Sequence, residues 1–509
     1  MKQVTTILLM LLCLFSAGMA NDIRVANPVL SGQDITEKFV YVEFDIGWKN
    51  SWRNNINHDA AWIFVKYQKT GSGEWHHASL SPNSELHNTG SAGSDATIIA
   101  VTDKKGVFFK RTNEGKGNFG SNAIKIRWNY GDDFLKNDLK EDVMRVAVFA
   151  IEMCFVPEGD YYLGDGHSAA SFRKVDSNTP VKISNNPVVV RAGGGDNALA
   201  NVGITVSGTE GIDYNNDGSY DNPYYPTGYK SFYCMKYEIS QEQYVDFLNT
   251  LTRVQQASRI STMIMGKSNI TNTFVMTNTS AMQNRNAIRC RSQIDSVLPL
   301  VFYCDYNQNG EPNEDCDGQN IACNYLKFQD GLQYAAWAGL RPMTEFEFEK
   351  ACRGTPNPVA GEYAWGDNAR SQSINPGNFG CSNENFLAGN CHFGHQAGTY
   401  AGPFRVGIFA EISAGDRVNA GATYWGIMEM SGNLWEGCIT FGTETGRKFK
   451  NLQEWQFDNV AGAALRGGDW AYNYMMYIDY WTISARQYSE ISYNSREAGY
   501  GFRCVRFDD

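Results

Sequence analysis

The chain has 509 residues, with 44 Lys and Arg against 55 Asp and Glu, for a formal net charge of −11. That length predicts two or more domains, and the acidic balance lacks the basic footprint that nucleic-acid binding requires. Fifty glycines and an aromatic content of 13% point to strands and long loops.

At the start, Lys2 precedes the apolar run ILLMLLCLFSAGMA, with Gly18 and Ala20 at the small positions before an expected cut at Asn21. Residues 1–20 thus read as a secretory signal peptide, too short and wrongly flanked to span a bilayer. The mature protein is expected to be secreted, periplasmic or at the cell surface, and not membrane-spanning. Leu11 and Leu12 stand before Cys13 where a lipid-attachment motif wants small residues. Eleven cysteines remain after the cut, an odd number that leaves at least one thiol free or paired between chains. Export permits disulfides among the rest.

Over residues 21–150 the signal has period two. Val40, Val42, Phe44, Ile46 and Trp48 alternate with polar or small neighbours, and Ile63, Val65, Tyr67 and Ile124, Ile126, Trp128 repeat the pattern. Such strands predict an all-β sandwich domain. His76 and His77 are sequence neighbours, so on a strand they face opposite ways and read as surface residues rather than metal ligands.

From residue 151 onward the character changes to α+β with long loops. The loop DYNNDGSYD offers Asp213, Asn215, Asp217, Ser219 and Asp221 around Gly218, close to a calcium-binding EF-hand loop. Its twelfth position is Tyr224, where that loop would carry a glutamate. DYNQNGEPN repeats the theme with Asp305, Asn307, Asn309, Glu311 and Asn313 around Gly310. Cys304 and Cys316 flank this copy and could close it. The alternative is that Asp, Asn and Gly simply make turns.

Helices are predicted after Ser240 as N-cap, over Phe328–Leu340, and from Thr344 as N-cap to Gly354 just past the end. In CHFGH, a Cys391–Cys381 pair with surface histidines is the simpler reading than a metal corner. The stretch WAYNYMMYIDYWTISAR holds Trp470, Tyr472, Asn473, Tyr474, Tyr477, Tyr480, Trp481 and Arg486. Tyrosine mixed with asparagine and serine is the composition of a ligand-binding surface; the competing reading turns the rings inward.

The words FVPEGDYYLGDG, MKYEISQEQYVDFLN, AAWAGLRPMTEFEFEKACRG, YAWGD, YWGIMEMSGNLWEG, LRGGDW, SAR and GFRCV, in this order, resemble the formylglycine-generating enzyme (sulfatase-modifying factor) family. The resemblance implies a loop-rich α+β fold related to C-type lectins and stabilised by calcium. It also implies copper(I) held between two thiolates, and oxidation of a sulfatase cysteine. Anchored from Gly468 the thiol pair falls on Tyr472 and Tyr477, and anchored from Arg486 on Asn473 and Ile478. No cysteine stands between Ile439 and Arg503, so copper is not expected and no catalytic residue is assigned.

Cys352 and Cys504 match half-cystines of the family whose partners fall at Ile483 (or Thr482) and Ala335. A swapped Cys352–Cys504 bond and two buried thiols both remain open. By the same resemblance one calcium site would use the Glu429 side chain with carbonyls of Met430, Gly432 and Leu434, and another would begin at Asn378 and Phe379. The ending is also similar to variable, target-binding proteins of diversity-generating retroelements.

The expectation is an exported, calcium-stabilised binding or structural protein, with an aromatic groove for a protein or glycan ligand. The alternatives are a sulfatase-modifying oxidoreductase with an atypical site, or a component of a cell-envelope assembly.

Overall fold

The computed structural model describes residues 23–508 except 72, 135–138, 140–142, 169, 175–178, 186–187, 193–201, 207–211, 214–221, 223, 313, 372–376, 387, 395–400, 411–415, 451–461, 472–477 and 490–492. The chain divides into two compact units. One comprises Ile23–Ser51 with Ala61–Ile151, the other Trp52–Ala60 with Glu152–Asp509.

In the first unit, strand Phe39–Arg53 lies between Arg24–Asp34 and Gly115–Trp128. Strand Val107–Arg111 pairs antiparallel with Ala96–Ala100 and with the Ala61–Ile63 stretch. The alternating residues named above are the inward ones. Val42, Phe44, Ile46, Ile63, Val65, Ile126 and Trp128 share one buried cluster, as a period of two on a half-buried strand requires. His77 is half-buried, 3.0 Å from the Lys66 ammonium, while the His76 ring stacks on Tyr67. Neither histidine belongs to a group of three metal-ligating side chains among the described residues.

The second unit is β-rich with few helices. Its main sheet runs, in order, Ala463–Arg466, Trp435–Ile439, Arg341–Thr344, Cys504–Phe507, Phe232–Met235 and the end of Val143–Val156. The Arg341–Thr344 and Trp435–Ile439 strands are parallel; the other neighbours are antiparallel. The last strand of the chain therefore occupies the middle of the sheet.

The unit's longer helices among the described residues are α1 (Gln241–Asn249), α2 (Arg253–Arg259), α3 (Phe328–Ala338) and α4 (Glu345–Arg353), beside a single turn at Glu444–Arg447. Helices α1 and α4 start where the sequence places them, each with a reciprocal capping box, Ser240 with Gln243 and Thr344 with Glu347. Helix α3 ends at Gly339 in the left-handed region, φ +68°. Within α3, Gly331 has a packing reason, since a Cβ there would sit 2.1 Å from the Phe502 ring. Helix α2, seven residues opened by a Thr252–Gln255 box, was not foreseen; no apolar periodicity announces so short an element.

The disulfide expectations are corrected. Cys316 pairs with Cys381, so neither Cys304–Cys316 nor Cys381–Cys391 forms. The Gly318 N–H donates to the Gly380 carbonyl at 2.9 Å, bringing two turns distant in sequence side by side. Cys391 is buried, its Sγ 3.0 Å from the Ser431 carbonyl. Cys352 and Cys504 are both free and buried.

Because Ser240 satisfies an otherwise orphaned N–H of α1, Ser240→Ala should cost about 1 kcal/mol of unfolding free energy, read as a shift in a urea denaturation midpoint with unchanged slope.

Candidate functional site

Helix α4 carries the carboxylates around which the second unit is organised. Glu345 and Glu349 lie one turn apart on one face. Glu345 accepts from Arg466 at 2.9 Å and from both Nε and Nη2 of Arg486 at 2.9 Å. Glu349 accepts from Arg466 at 3.0 Å, Arg353 at 3.1 Å and the Ser484 hydroxyl at 3.1 Å. Arg353 also meets Glu362.

On α4's other flank Glu347 is forked by Arg341 at 2.8 and 2.6 Å. Nearby, Arg503 forks Glu436 and donates to the carbonyls of Met235, Lys236 and Met428. These groups are all buried. Burial pushes the Glu345 carboxyl up, but Arg486 and Arg466 outweigh it and hold it below its ordinary value.

This network places the sequence-predicted Arg486. Its guanidinium is spent on Glu345 and lies 3.6 Å over the Phe172 ring, so it is no open ligand contact. Trp470 and Trp481 likewise turn inward, 2% and 0% exposed. Their indole N–H groups donate to the carbonyls of Ala498 and Asp469. A Cβ at Gly468, φ +74°, would meet the Trp481 ring at 2.4 Å, which is why the second glycine of LRGGDW is a glycine.

Tyr480 is half-buried. It packs on Trp435 at 5.6 Å and on Tyr488 at 5.4 Å, with the two tyrosine hydroxyls 3.5 Å apart. Tyr500, also half-buried, has Tyr488 and Asp469 among its electrostatic neighbours, and burial pushes its hydroxyl up to about 12. Tyr472, Asn473, Tyr474 and Tyr477 lie outside the described residues. What the described residues in and after the stretch present is thus Tyr480 and Tyr488 on a floor of Trp435, with Tyr500 beside Tyr488. Trp435 was missed by sequence reasoning, although the LWEG word holds it.

A second surface feature is apolar. Arg253 donates to the carbonyls of Ile264 (2.7 Å) and Leu298 (3.4 Å), fixing two loops around α2. Val254, Met263, Met265, Val297, Leu298 and Val301 on these segments are all exposed. Exposed apolar residues gathered this way mark interaction surfaces more often than chance.

Of the metal-ligating candidates, Asn215, Asp217, Ser219, Asp221 and Asn313 lie outside the described residues. Asp213 is described only as the end of a short strand. Among the described residues no three His, Cys, Asp or Glu side chains converge as a metal cluster. Glu429 is buried at φ +55°; both its oxygens accept one donor, the Gly407 N–H, at 3.0 and 3.1 Å. Burial pushes its carboxyl up to about 7.

Around it, the Gly432 N–H reaches the Gly467 carbonyl, the Leu434 N–H reaches Glu238, and Met430 is buried. Asn378, φ +55°, belongs to another turn, its carbonyl accepting from the Cys381 N–H, and Phe379 faces the Arg285 guanidinium at 5.7 Å. Asp305, Asn307, Asn309 and Glu311 share one loop, in which Asn307 accepts from the Asn309 N–H and Asn309 from the Glu311 N–H.

Copper(I) finds no fit here. A two-thiolate site needs accessible, deprotonated sulfur, and every cysteine from Cys154 onward is either in the disulfide or free and buried. Cys438 and Cys504, the cysteines on either side of the aromatic stretch in sequence, both have thiols pushed well above the ordinary value by burial.

A family profile described as "Sulfatase-modifying factor enzyme 1-like domain" matches residues 152–507. No curated protein sequence matches the chain. Among solved structures, the Major Tropism Determinant I1 variant is 14% identical over 69% of this chain and 72% of its own, with a TM-score of 0.23. The U1 variant is 12% identical over 71% and 64%, with a TM-score of 0.20. The P3c variant is 13% identical over 69% and 72%, with a TM-score of 0.21. Superposition this loose supports no argument about function.

Glu345→Gln should destabilise the protein by roughly 3–5 kcal/mol, because it leaves buried arginines short of charge; equilibrium unfolding in guanidinium measures it. The Glu345 carboxyl is depressed in the fold, so its stabilisation is present above the unfolded value of about 4.3 and lost as pH falls through the lower folded value. The variant should lack that part of the acid transition.

Proposed function

The chain belongs to the sulfatase-modifying factor enzyme 1-like family, and from that premise we propose that it is an exported binding or structural protein that uses the family scaffold without its oxidation chemistry. One observation carries the reading: no cysteine occupies the stretch between Ile439 and Arg503, where the family's thiol pair belongs. The half-buried Tyr480 and Tyr488 over Trp435, with Tyr500 beside them, then serve recognition of a protein or glycan ligand. The exposed apolar patch around α2 fits the same purpose. Tyrosine supplies broad amphipathic contact at low entropic cost.

Further parts of this reading are the C-type-lectin-like character of the second unit and an all-β sandwich for the first. Residues 1–20 act as a signal peptide, and the mature chain works outside the cytoplasm. Calcium stabilises the fold at Glu429 with the Met430, Gly432 and Leu434 carbonyls. Support for that site is a buried carboxylate whose two oxygens share a single backbone donor.

The test is turnover. Purified protein supplied with copper(I), oxygen and a sulfatase-type cysteine peptide should give no formylglycine by mass spectrometry, while an active family enzyme alongside converts it. Conversion by this chain would overturn the reading. In parallel, binding found on a glycan or protein array should fall at least tenfold in Tyr488→Ala; retention of full binding would remove the aromatic surface from the proposal.

A further inference from the structure

The loop between strand Tyr303–Cys304 and helix α3 holds two carboxylates that are entirely buried, Asp305 and Asp317, each 0% exposed. Each uses one oxygen on the loop itself. Asp305 Oδ2 accepts from the Gly310 N–H at 3.0 Å and from Arg289 at 2.6 Å. Asp317 Oδ2 accepts from the Glu314 N–H at 2.9 Å. The other oxygen of each, Oδ1, is buried with no hydrogen-bond donor. Asp317 is tied to the residue after Asp305, its carbonyl accepting from the Tyr306 N–H at 3.1 Å, so the two acids are neighbours, and among the described residues the cation that meets the pair is Arg289, on Asp305.

Two buried anionic oxygens without donors are costly, and native proteins rarely leave such groups unsatisfied. Around them stand further oxygens. Asn307 and Asn309 line the same turn with their amide nitrogens on Glu314, and Gly310 at φ +86° makes the sharp bend. The loop is held in place independently of any ion. The Tyr306 N–H donates to the Asp317 carbonyl at 3.1 Å, and the Cys316–Cys381 disulfide fastens its far end.

We propose that this loop is a calcium site, with Asp305 and Asp317 as its charged ligands and the oxygens of Asn307 and Asn309, backbone and water completing it. Calcium takes six to eight oxygens in flexible geometry, and a first-position aspartate followed by alternate amides and a sixth-position glycine is the arrangement that supplies them. No thiol or imidazole is part of the set, which sets it apart from zinc or copper sites. The sequence pattern stopped at Asn313 and did not include Asp317, because the closing acid is one residue beyond the usual twelfth position. The site is independent of the binding function proposed above, and of the Glu429 site; either can fail while this one stands.

The experiment counts calcium bound per full-length chain by equilibrium dialysis after chelation, together with melting temperature with and without calcium. Asp317→Asn, of equal size, should bind one calcium fewer than the wild type and lose part of the calcium-dependent rise in melting temperature. Without calcium it should melt no lower than the wild type, since a buried unpaired charge has gone. Asn307→Ala, at an exposed position, guards against misfolding of the first variant and should weaken one site at least tenfold. An unchanged count and affinity in both variants, or no calcium bound by the wild type, overturns the proposal. So does an Asp317→Asn protein that melts lower than wild type in the absence of calcium.

Discussion

The second unit depends on a set of buried charges that cannot be removed singly. Glu345 and Glu349 on α4 draw in Arg466, Arg486 and Arg353, which come from three separated words of the sequence. A buried ion pair contributes little net stability over an apolar pair of the same volume, but loss of one partner strands the other. The consequence is geometric. Strand Ala463–Arg466, the turn around Thr482–Arg486 and helix α4 have one mutual arrangement that leaves no charge uncompensated. Arg503 and Glu436 impose the same condition at the centre of the sheet.

That constraint explains how a chain can keep the signature words of a family around a stretch, Ile439 to Arg503, that holds no cysteine. The arginines of LRGGD, SAR and GFRC are the ones in the charge network, and the glutamates of TEFEFEK receive two of them. These words encode a fold. The chemistry would reside in the stretch they bracket, which here carries tyrosine, tryptophan and methionine. Membership of the family therefore fixes the architecture of residues 152–507 and leaves activity to be argued from the site.

Much of this was legible in the sequence, for identifiable reasons. The period-two residues of the first unit emerged as its core because strand periodicity is local. Capping residues marked the starts of α1 and α4 for the same reason. The charge network was not legible: which glutamate meets which arginine depends on chain reversals spanning more than a hundred residues, as in Glu345 with Arg486. Arg486 and the two tryptophans consequently looked like surface residues when they are interior ones. Cysteine pairing failed similarly, since sequence proximity favoured Cys304–Cys316 and Cys381–Cys391 while loop packing joined Cys316 to Cys381.

A unit so poor in regular structure must satisfy its buried backbone by other means. Buried amide side chains do part of this. Asn324 donates to the Asn284 and Ala498 carbonyls, Gln241 bridges the Arg285 carbonyl and the Ala287 N–H, and Gln256 joins Leu248 to Leu300. Each ties segments that no strand ladder connects. Amides can do so because one group both donates and accepts. Carboxylates cannot, since they only accept, and once buried they need N–H donors or a cation to offset their charge. In α4 and the sheet centre arginines meet that requirement. At Asp305 and Asp317 the described residues supply one arginine for two acids, and Oδ1 of each stays without a donor among them.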